Sequence, residues 1–373
     1  MIDYIMLRCM AASYAWRSKE TALDVFPPMR AGVRRAPPTL APKAARWRWA
    51  GPRGQLGPRG LPVLAMLTLT ALLAAGCGRR QEQPARPEVT RIVVADAPTT
   101  HHLNLYVAQK KGLFAKHGVQ VEIVAVESLS AARDSVIAGR ADVFWSCPTM
   151  AIAAIAGGAP IRTIAQVKTP CTSVLLVPPD SPIREYRDLA GKTIAGISPA
   201  CEAVIAIASA ARRAGTEFNL VKAAGGPALA ALRAGQVDGA ILEEPHASIA
   251  ELAGFRVMFR EASDAIPCRT INARIGFLDG SADALRRMIR AVEEANTIIN
   301  AGPAAPAIVD IAHAYTGAPV DAIVHGNWRL HFTTRLDVEG LCKLGDELVA
   351  LGHIRECPGQ DMFAREFRGI TWD

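Results

Sequence analysis

The sequence predicts an α/β protein with mainly parallel strands that folds as two similar lobes. After residue 90, short apolar runs of strand character alternate with stretches of helical character. A five-residue pattern also recurs, because residues 138–142 (AGRAD) and 234–238 (AGQVD) each precede an apolar strand and then a proline. The 373 residues are 50% apolar and 21% charged, which is typical of a globular chain of about two domains.

The formal charge of +7 comes from the beginning of the chain. Residues 1–76 carry 11 basic and 3 acidic side chains, whereas the rest carries 31 basic and 32 acidic ones. Binding to a phosphate backbone needs clustered Lys and Arg, and no such cluster interleaved with aromatic residues occurs after residue 76. We therefore expect no nucleic-acid partner.

Residues 61–75 form an uncharged apolar run behind this basic region. Fifteen residues are too few for a transmembrane helix, which needs about 20, but they suit the apolar core of a signal peptide. We predict that residues 1–76 are a leader and signal peptide, and that the mature protein works outside the cytoplasm.

The run ends in residues 73–77 (LAAGC), which resemble the lipobox of bacterial lipoproteins. This resemblance implies that Cys77 is lipidated and anchors the protein to the membrane in the periplasm. The alternative is a plain signal peptide in which Cys77 is an incidental thiol. Residues 77–88 are polar and rich in Arg, Gln and Pro, and are predicted to be a tether.

The first elements after the tether follow in β-α-β order. The repeated pattern places Gly139 and Gly235 at the ends of helices, where a left-handed residue favours glycine. The predicted strands are residues 91–95, 119–124 and 143–145, and the predicted helices are residues 103–111 and 130–138.

Four motifs resemble ABC-transporter substrate-binding proteins of the sulfonate, nitrate and thiamine-precursor branch, over residues 89–300. They are residues 105–121 (LYVAQKKGLF followed by HGVQV), 138–142, 188–194 (DLAGKTI) and 235–245. The resemblance implies a type II periplasmic-binding-protein fold, in which two crossing strands form a hinge and a ligand is trapped as the lobes close. It also implies an ABC permease in the inner membrane as the partner.

The order of the apolar segments places the crossings at residues 172–177 and 268–275. Lobe 1 is then residues 89–173 together with 268–373, and lobe 2 is residues 174–267. The helices from residue 282 onward are expected to pack on lobe 1, and we expect a monomer.

Ligands of open α/β sheets bind beyond the carboxyl ends of the strands, so the residues that follow each strand are the candidate site. Two helices are predicted to face the cleft from the two lobes. Cys147, before Pro148, is the predicted N-cap of one, and Ser198, with Cys201 in the first turn, is the predicted N-cap of the other. Free N–H groups at such helix ends favour an anionic group on the ligand. The predicted ligand-binding residues are Thr100, His102, Cys147, Thr149, Cys171, Ser198, Cys201, Glu244 and Cys268.

Four of these residues are cysteines, and three interpretations stay open. Cys171 with Cys268, like Cys342 with Cys357, could form a structural disulfide in an oxidising compartment. Cys147 and Cys201 could be buried apolar filler. The cysteines could instead form a soft site for a metal, a metalloid or a thiol-bearing compound, helped by one of several nearby polar residues, although no C-x-x-C spacing occurs. Those polar residues are His101, His102, Glu244 and His246.

The sequence contains none of the common catalytic motifs, such as G-x-S-x-G, a P-loop, H-E-x-x-H or G-x-G-x-x-G. We therefore predict a non-enzymatic solute-binding component of an ABC import system, with no cofactor other than the soft metal considered above. The alternatives are a sensory binding protein for a membrane receptor and an enzyme resembling the thiamine-pyrimidine synthase group.

Overall fold

The computed structural model describes residues 90–260 and 266–373. The predicted leader, the tether and Cys77 lie outside the described residues. The described chain contains two five-stranded sheets. Their strands are β1 (Arg91–Asp96), β2 (Gln120–Ala125), β3 (Val143–Ser146), β4 (Ile161–Lys168), β5 (Val174–Val177), β6 (Thr193–Gly196), β7 (Asn219–Lys222), β8 (Gly239–Leu242), β9 (Arg256–Met258) and β10 (Cys268–Arg274).

The two sheets have the same topology. The first has the order β2-β1-β3-β10-β4, with β1 parallel to β2 and β3, and β10 antiparallel to β3 and β4. The second has the order β7-β6-β8-β5-β9, with β6 parallel to β7 and β8, and β5 antiparallel to β8 and β9. The predicted mixed, mainly parallel α/β fold is confirmed.

The repeated five-residue pattern makes the same contacts in both sheets. Gly139 and Gly235 end their helices with φ angles of 73° and 65°. The Asp142 carboxylate accepts a hydrogen bond from the N–H of Val93 at 3.0 Å, and the Asp238 carboxylate accepts one from the N–H of Thr193 at 2.8 Å. Each aspartate therefore satisfies a backbone donor of β1 or β6, which occupy equivalent positions in the two sheets.

The helices cover both sheets. No helix in the described part of the chain is long and apolar enough to cross a membrane. The α-helices of the described chain are α1 (Leu103–Lys110), α2 (Leu113–Lys116), α3 (Leu129–Ile137), α4 (Pro148–Ala156), α5 (Glu202–Arg213), α6 (Gly225–Arg233), α7 (His246–Leu252), α8 (Ile275–Ala301), α9 (Pro306–Thr316), α10 (Val320–Asn327) and α11 (Val338–Ala350). We call the first sheet with α1–α4 and α8–α11 lobe 1, and the second sheet with α5–α7 lobe 2.

The strands predicted to cross between the lobes each lie within one sheet. β5 begins at Val174 and pairs only with strands of the second sheet, and β10 pairs only with strands of the first. The chain crosses in the segments that precede these two strands, between β4 and β5 and between β9 and β10. Strand pairing satisfies the backbone groups of β5 and β10 as soon as each one enters its sheet.

The C-terminal helices cover lobe 1 and also reach lobe 2. Apolar side chains of α8, α9 and α11 share one core with β1, β3 and α1. Helix α10 packs against α7 of lobe 2, a contact that the sequence patterns do not predict. Gly326 makes this approach possible, because a Cβ there would lie 2.6 Å from Glu244 Oε2 and 2.7 Å from Ser248 Oγ.

We predict that Gly326→Ala lowers the free energy of unfolding by about 1–3 kcal/mol, because the added methyl group overpacks the contact between α10 and α7. Urea unfolding measures the change. Gly280→Ala in α8 is the matched control, since a Cβ there meets no atom within 4 Å, and it should be neutral or stabilising by up to ~1 kcal/mol. Identical midpoints for the wild type and Gly326→Ala would contradict the close packing.

Candidate functional site

Four cysteines lie together where lobe 1 meets lobe 2. Cys147 follows β3 and is the N-cap of α4, and Cys201 is the N-cap of α5. Cys171 lies in the first crossing segment, and Cys268 is the first residue of β10. None of the four is more than 3% exposed. The fold thus collects thiols from positions 121 residues apart in the sequence.

Local structure explains why two of these thiols sit at helix starts. Pro148 occupies the first helical position of α4, as predicted, and leaves Cys147 as the N-cap. In lobe 2 the prediction that Ser198 is the N-cap is wrong. The N–H of Cys201 donates to the carbonyl of Ser198 at 3.1 Å, which closes a turn before the helix and moves the N-cap to Cys201.

Glu202 lies between two cysteine pairs. One ligand atom from each of Cys147, Cys201 and Glu202 lies within 4.8 Å of the others, and the same holds for Cys171, Cys268 and Glu202. We call these five residues the thiol cluster. Cys268 Sγ lies 3.7 Å from Glu202 Oε1, whereas Glu202 Oε2 is buried and makes no hydrogen bond with the described residues. A carboxylate with one unpaired oxygen therefore lies among four thiols, at an energetic cost that a bound ligand would offset.

Two more charged residues border the cluster. The guanidinium of Arg269 contacts both Cys147 Sγ and the Glu243 carboxylate, and lies 4.0 Å from Glu202 Oε1. Arg269 is 1% exposed, and its φ of 60° is uncommon for a residue with a side chain. Residues in such sparsely populated backbone conformations cluster at functional sites, and Arg269 is one of them.

His101, Lys168 and Thr172 lie beside Arg269 and Glu243. His101 Nε2 lies 3.3 Å from Thr172 Oγ1, and His101 Nδ1 lies 3.7 Å from Glu243 Oε2. The ammonium group of Lys168 donates to the carbonyl of Pro170 at 2.8 Å. Burial, reinforced by the charges of Lys168 and Arg269, lowers the pKa of His101 well below its usual value, so its ring is neutral at neutral pH.

The thiols hydrogen-bond in pairs. A hydrogen bond with Cys201, together with burial, raises the pKa of Cys147 well above its usual value, and nearby Arg269 opposes this only in part. Burial, together with a hydrogen bond with Cys171, raises the pKa of Cys268 well above its usual value. Both groups are therefore protonated at neutral pH in this arrangement, rather than reactive thiolates.

Three other predicted site residues are buried in lobe 1. His102 Nδ1 lies 2.6 Å from Asp96 Oδ1, so the carboxylate orients this ring. The neighbouring His101, not His102, lies beside Glu243 and Thr172. Thr100 is buried next to it, and its hydroxyl has no hydrogen-bond partner among residues 90–260 and 266–373. Thr149 is buried in the first turn of α4.

The Glu244 carboxylate is paired with residues outside the thiol cluster, and its predicted ligand-binding role stays a prediction. Its carboxylate accepts hydrogen bonds from Arg329 at 2.9 Å and from the N–H of Ser248 at 3.1 Å, so it anchors α7 to the segment after α10. The adjacent side chain of Glu243 extends toward Arg269 instead. The other polar candidate, His246, lies against Gly225.

Sequence reasoning did not select Glu202, Glu243, Arg269 or Lys168. Glu202 is in the first turn of a helix, where an acidic residue is favourable for local reasons and so gives no functional signal. Arg269 directly follows Cys268, and a charged residue beside a buried cysteine was the available clue. The six cysteines of the described residues are free thiols in this structure. The disulfides of Cys342 with Cys357 and of Cys171 with Cys268 stay predictions for the protein in an oxidising compartment.

A family comparison covers this region. The sequence model of the family described as NMT1/THI5 like matches residues 99–305, which include the whole thiol cluster. The chain belongs to the NMT1/THI5-like family. This match and the fold confirm the resemblance found in the sequence and the two-lobed type II fold.

Solved structures share the fold at low sequence identity. The alkanesulfonate-binding protein SsuA from Xanthomonas axonopodis pv. citri, bound to MOPS, is 15% identical with a TM-score of 0.65 and covers 74% of this chain and 99% of its own. The ligand-binding component of an ABC-type import system from Staphylococcus aureus, with zinc bound, is 15% identical with a TM-score of 0.65 and covers 74% and 98%. The periplasmic nitrate-binding protein NrtA from Synechocystis PCC 6803 is 16% identical with a TM-score of 0.62 and covers 75% and 87%.

One curated protein matches over a shorter stretch. The 4-amino-5-hydroxymethyl-2-methylpyrimidine phosphate synthase of Uromyces fabae is 33% identical over 97 residues, which is 26% of this chain. The chain spans only 28% of the length of that synthase.

We predict that Arg329→Met lowers the free energy of unfolding by about 2–3 kcal/mol, because the buried Glu244 carboxylate loses its positively charged partner. The loss is smaller than for a fully buried ion pair, because water partly screens the charge of Arg329. Arg335→Met is the matched control. Its ion pair with Asp373 is exposed, so the change should cost less than about 1 kcal/mol. If Arg329→Met and Arg335→Met lose the same free energy of unfolding, the ion pair of Arg329 with Glu244 does not stabilise the fold more than an exposed pair does.

The difference between the wild type and Arg329→Met should also depend on pH. Burial alone would raise the pKa of Glu251, but hydrogen bonds from Arg329 and His325 hold it below its usual value. A carboxylate with a lowered folded-state pKa stabilises the fold above its unfolded-state pKa and loses that contribution as the pH falls through the folded-state value. Urea titrations from pH 7 to pH 3 should therefore show the difference shrinking below about pH 4.3.

Proposed function

We propose that this protein is the solute-binding component of an ABC import system and traps a small ligand between its two lobes. The main support for this proposal is that both lobes contribute to one buried cluster, with Cys147 from lobe 1 and Cys201 and Glu202 from lobe 2. A ligand that contacts all three residues binds fully only when the lobes are closed, so capture and closure are one event.

The charges at the cluster bear on the class of ligand. Alkanesulfonates and nitrate, which the similar binding proteins take by name, are anions. Here Arg269 is already paired with Glu243 and lies near Glu202, so its charge is neutralised. Thiols stand at the N-caps of α4 and α5, where a small polar residue is usual. The cleft therefore supports a ligand with affinity for sulfur over a simple anion.

The location of the protein belongs to the same proposal. Export by the leader and lipidation of Cys77 would hold the two lobes on the outer side of a membrane by the tether of residues 77–88. An anchored binding protein stays close to its permease, which raises the effective concentration of the loaded form at the membrane.

We predict that Cys77→Ala moves the protein from the membrane fraction to the soluble fraction, because a thioether-linked lipid can no longer form. Fractionation and the intact mass of the purified protein measure this change. Cys9→Ala, which removes another cysteine of the leader, is the control and should leave the protein in the membrane fraction. Membrane attachment of Cys77→Ala protein whose intact mass shows that the leader has been removed would exclude the lipid anchor.

Closure should be visible by hydrogen exchange of the full chain. We expect that at least one of ethanesulfonate, nitrate and Zn²⁺ slows exchange at the starts of α4 and α5 together, because closure buries both helix ends. Exchange in α9 should stay unchanged. If none of the three compounds protects both helix starts, or each protects only one lobe, capture by closure is wrong.

The match to the synthase of Uromyces fabae favours one alternative, an enzyme on the same fold. The two functions differ in the fate of the bound compound. A solute-binding protein returns its ligand chemically unchanged, whereas an enzyme converts it. Mass spectrometry of the small molecules recovered after denaturation of the loaded protein therefore separates them.

A further inference from the structure

We infer that Cys147, Cys201 and Glu202 form a binding site for a thiophilic divalent cation of the Zn²⁺ and Cd²⁺ class. The inference rests on the proposed function, because the cation would be the trapped solute. It assigns the ligand from the donor atoms: two sulfurs and one carboxylate oxygen, all buried and within 4.8 Å of one another.

The distances fit such an ion. Sulfur atoms that bind one tetrahedral zinc ion at about 2.3 Å are about 3.8 Å apart, so the donors need to move by less than about 1 Å. Glu202 Oε2 is buried without a hydrogen bond to any described residue, and a metal ion would satisfy it. A carboxylate beside two thiolates suits Zn²⁺ or Cd²⁺ better than Cu⁺, which prefers sulfur alone.

The charge count also fits a divalent ion. At their usual charges, Arg269 and Lys168 balance Glu202 and Glu243, and the thiols are neutral. When a divalent ion binds, two S–H bonds break, two metal–sulfur bonds form and two protons leave, so the buried charge stays at zero. A monovalent ion bound by two thiolates, or a free anion, would leave an uncompensated negative charge in a buried site.

Cys171 and Cys268 are the second pair close to Glu202, but they are less suited to trapping a ligand. Cys171 lies in one connection between the lobes, and Cys268 begins the strand that directly follows the other. The N–H of Cys171 donates to the carbonyl of Ile266 at 2.8 Å, which ties the two connections together. Their separation therefore depends less on closure than that of Cys147 and Cys201, which come from opposite lobes. The pair that closure brings together is the one we assign to the ion.

The test uses the full chain, reduced with a phosphine and freed of metal. Titration with Cd²⁺, followed by the ultraviolet absorption of the thiolate–cadmium bond, should show one tight ion per chain. Cys147→Ser and Cys201→Ser should each weaken binding more than about 100-fold, since even residues that only orient metal ligands contribute about 10–100-fold. Cys342→Ser, a control at a thiol outside the cluster, should bind as the wild type does.

Two further outcomes would overturn the assignment. If Cys171→Ser and Cys268→Ser lose the ion while Cys147→Ser and Cys201→Ser keep it, the site is the pair at the connections. If the wild type binds no Cd²⁺ after reduction, there is no site. Thermal unfolding identifies any variant that fails to fold. In that case X-ray absorption of zinc-loaded Cys171→Ser decides, since it should still show two sulfurs at about 2.3 Å and oxygen at about 2.0–2.2 Å. A single sulfur in that variant would assign the ion to Cys171 and Cys268 instead.

The metal site and solute capture by closure can fail independently, and the two experiments distinguish these failures. Tight Cd²⁺ binding without joint protection of the starts of α4 and α5 would keep the metal site and reject capture by closure. Joint protection by ethanesulfonate or nitrate, without metal binding, would keep solute capture and reject the metal.

Discussion

Each sheet is completed by a strand that the chain supplies just after crossing from the other sheet. β5 enters the second sheet between β8 and β9, and β10 enters the first between β3 and β4, both antiparallel to their neighbours. Because the crossings end where these strands begin, Cys171, Cys268 and Arg269 are placed at the junction of the lobes. The parallel strand β3 ends at the same junction, so Cys147 arrives there as well. The candidate site is therefore a direct result of the topology.

This junction contains an unusual amount of buried polarity. Burying Glu202, Arg269 and Lys168 costs free energy that only mutual pairing or a ligand can offset. Pairing is incomplete, because Glu202 Oε2 and Arg269 Nε are buried without a hydrogen bond to the described residues. Apolar side chains in the same volume would often give the fold equal or greater stability. Ligand binding therefore explains the buried polar cluster better than folding stability does.

The C-terminal helices connect this site to the rest of the molecule. Helix α10 follows α9 of lobe 1 but packs on α7 of lobe 2, where Arg329 pairs with Glu244 and Glu251. The carbonyl of Glu244 also accepts a hydrogen bond from Thr99 of lobe 1 at 3.2 Å. The start of α7 is thus held from two sides by groups that belong to the other lobe. Any opening of the cleft has to break or carry along these contacts, which couples lobe movement to the C-terminal region.

Local patterns in the sequence were sufficient for the α/β class, for the equivalence of the two AGxxD segments and for Cys147 as a helix N-cap, because turn chemistry and periodicity act over a few residues. They were not sufficient to predict that Cys201 is an N-cap. They also did not predict that Glu243 rather than Glu244, and His101 rather than His102, lies beside the thiol cluster. Neighbouring side chains point in different directions, and only the path of the backbone in three dimensions determines which one faces the cleft. The sequence by itself thus determined the two-lobed architecture and the chemistry available to the cleft. Only the tertiary structure decided which thiols meet, and that they meet around Glu202, because contacts between residues far apart in the chain depend on how the crossings bring the two sheets together.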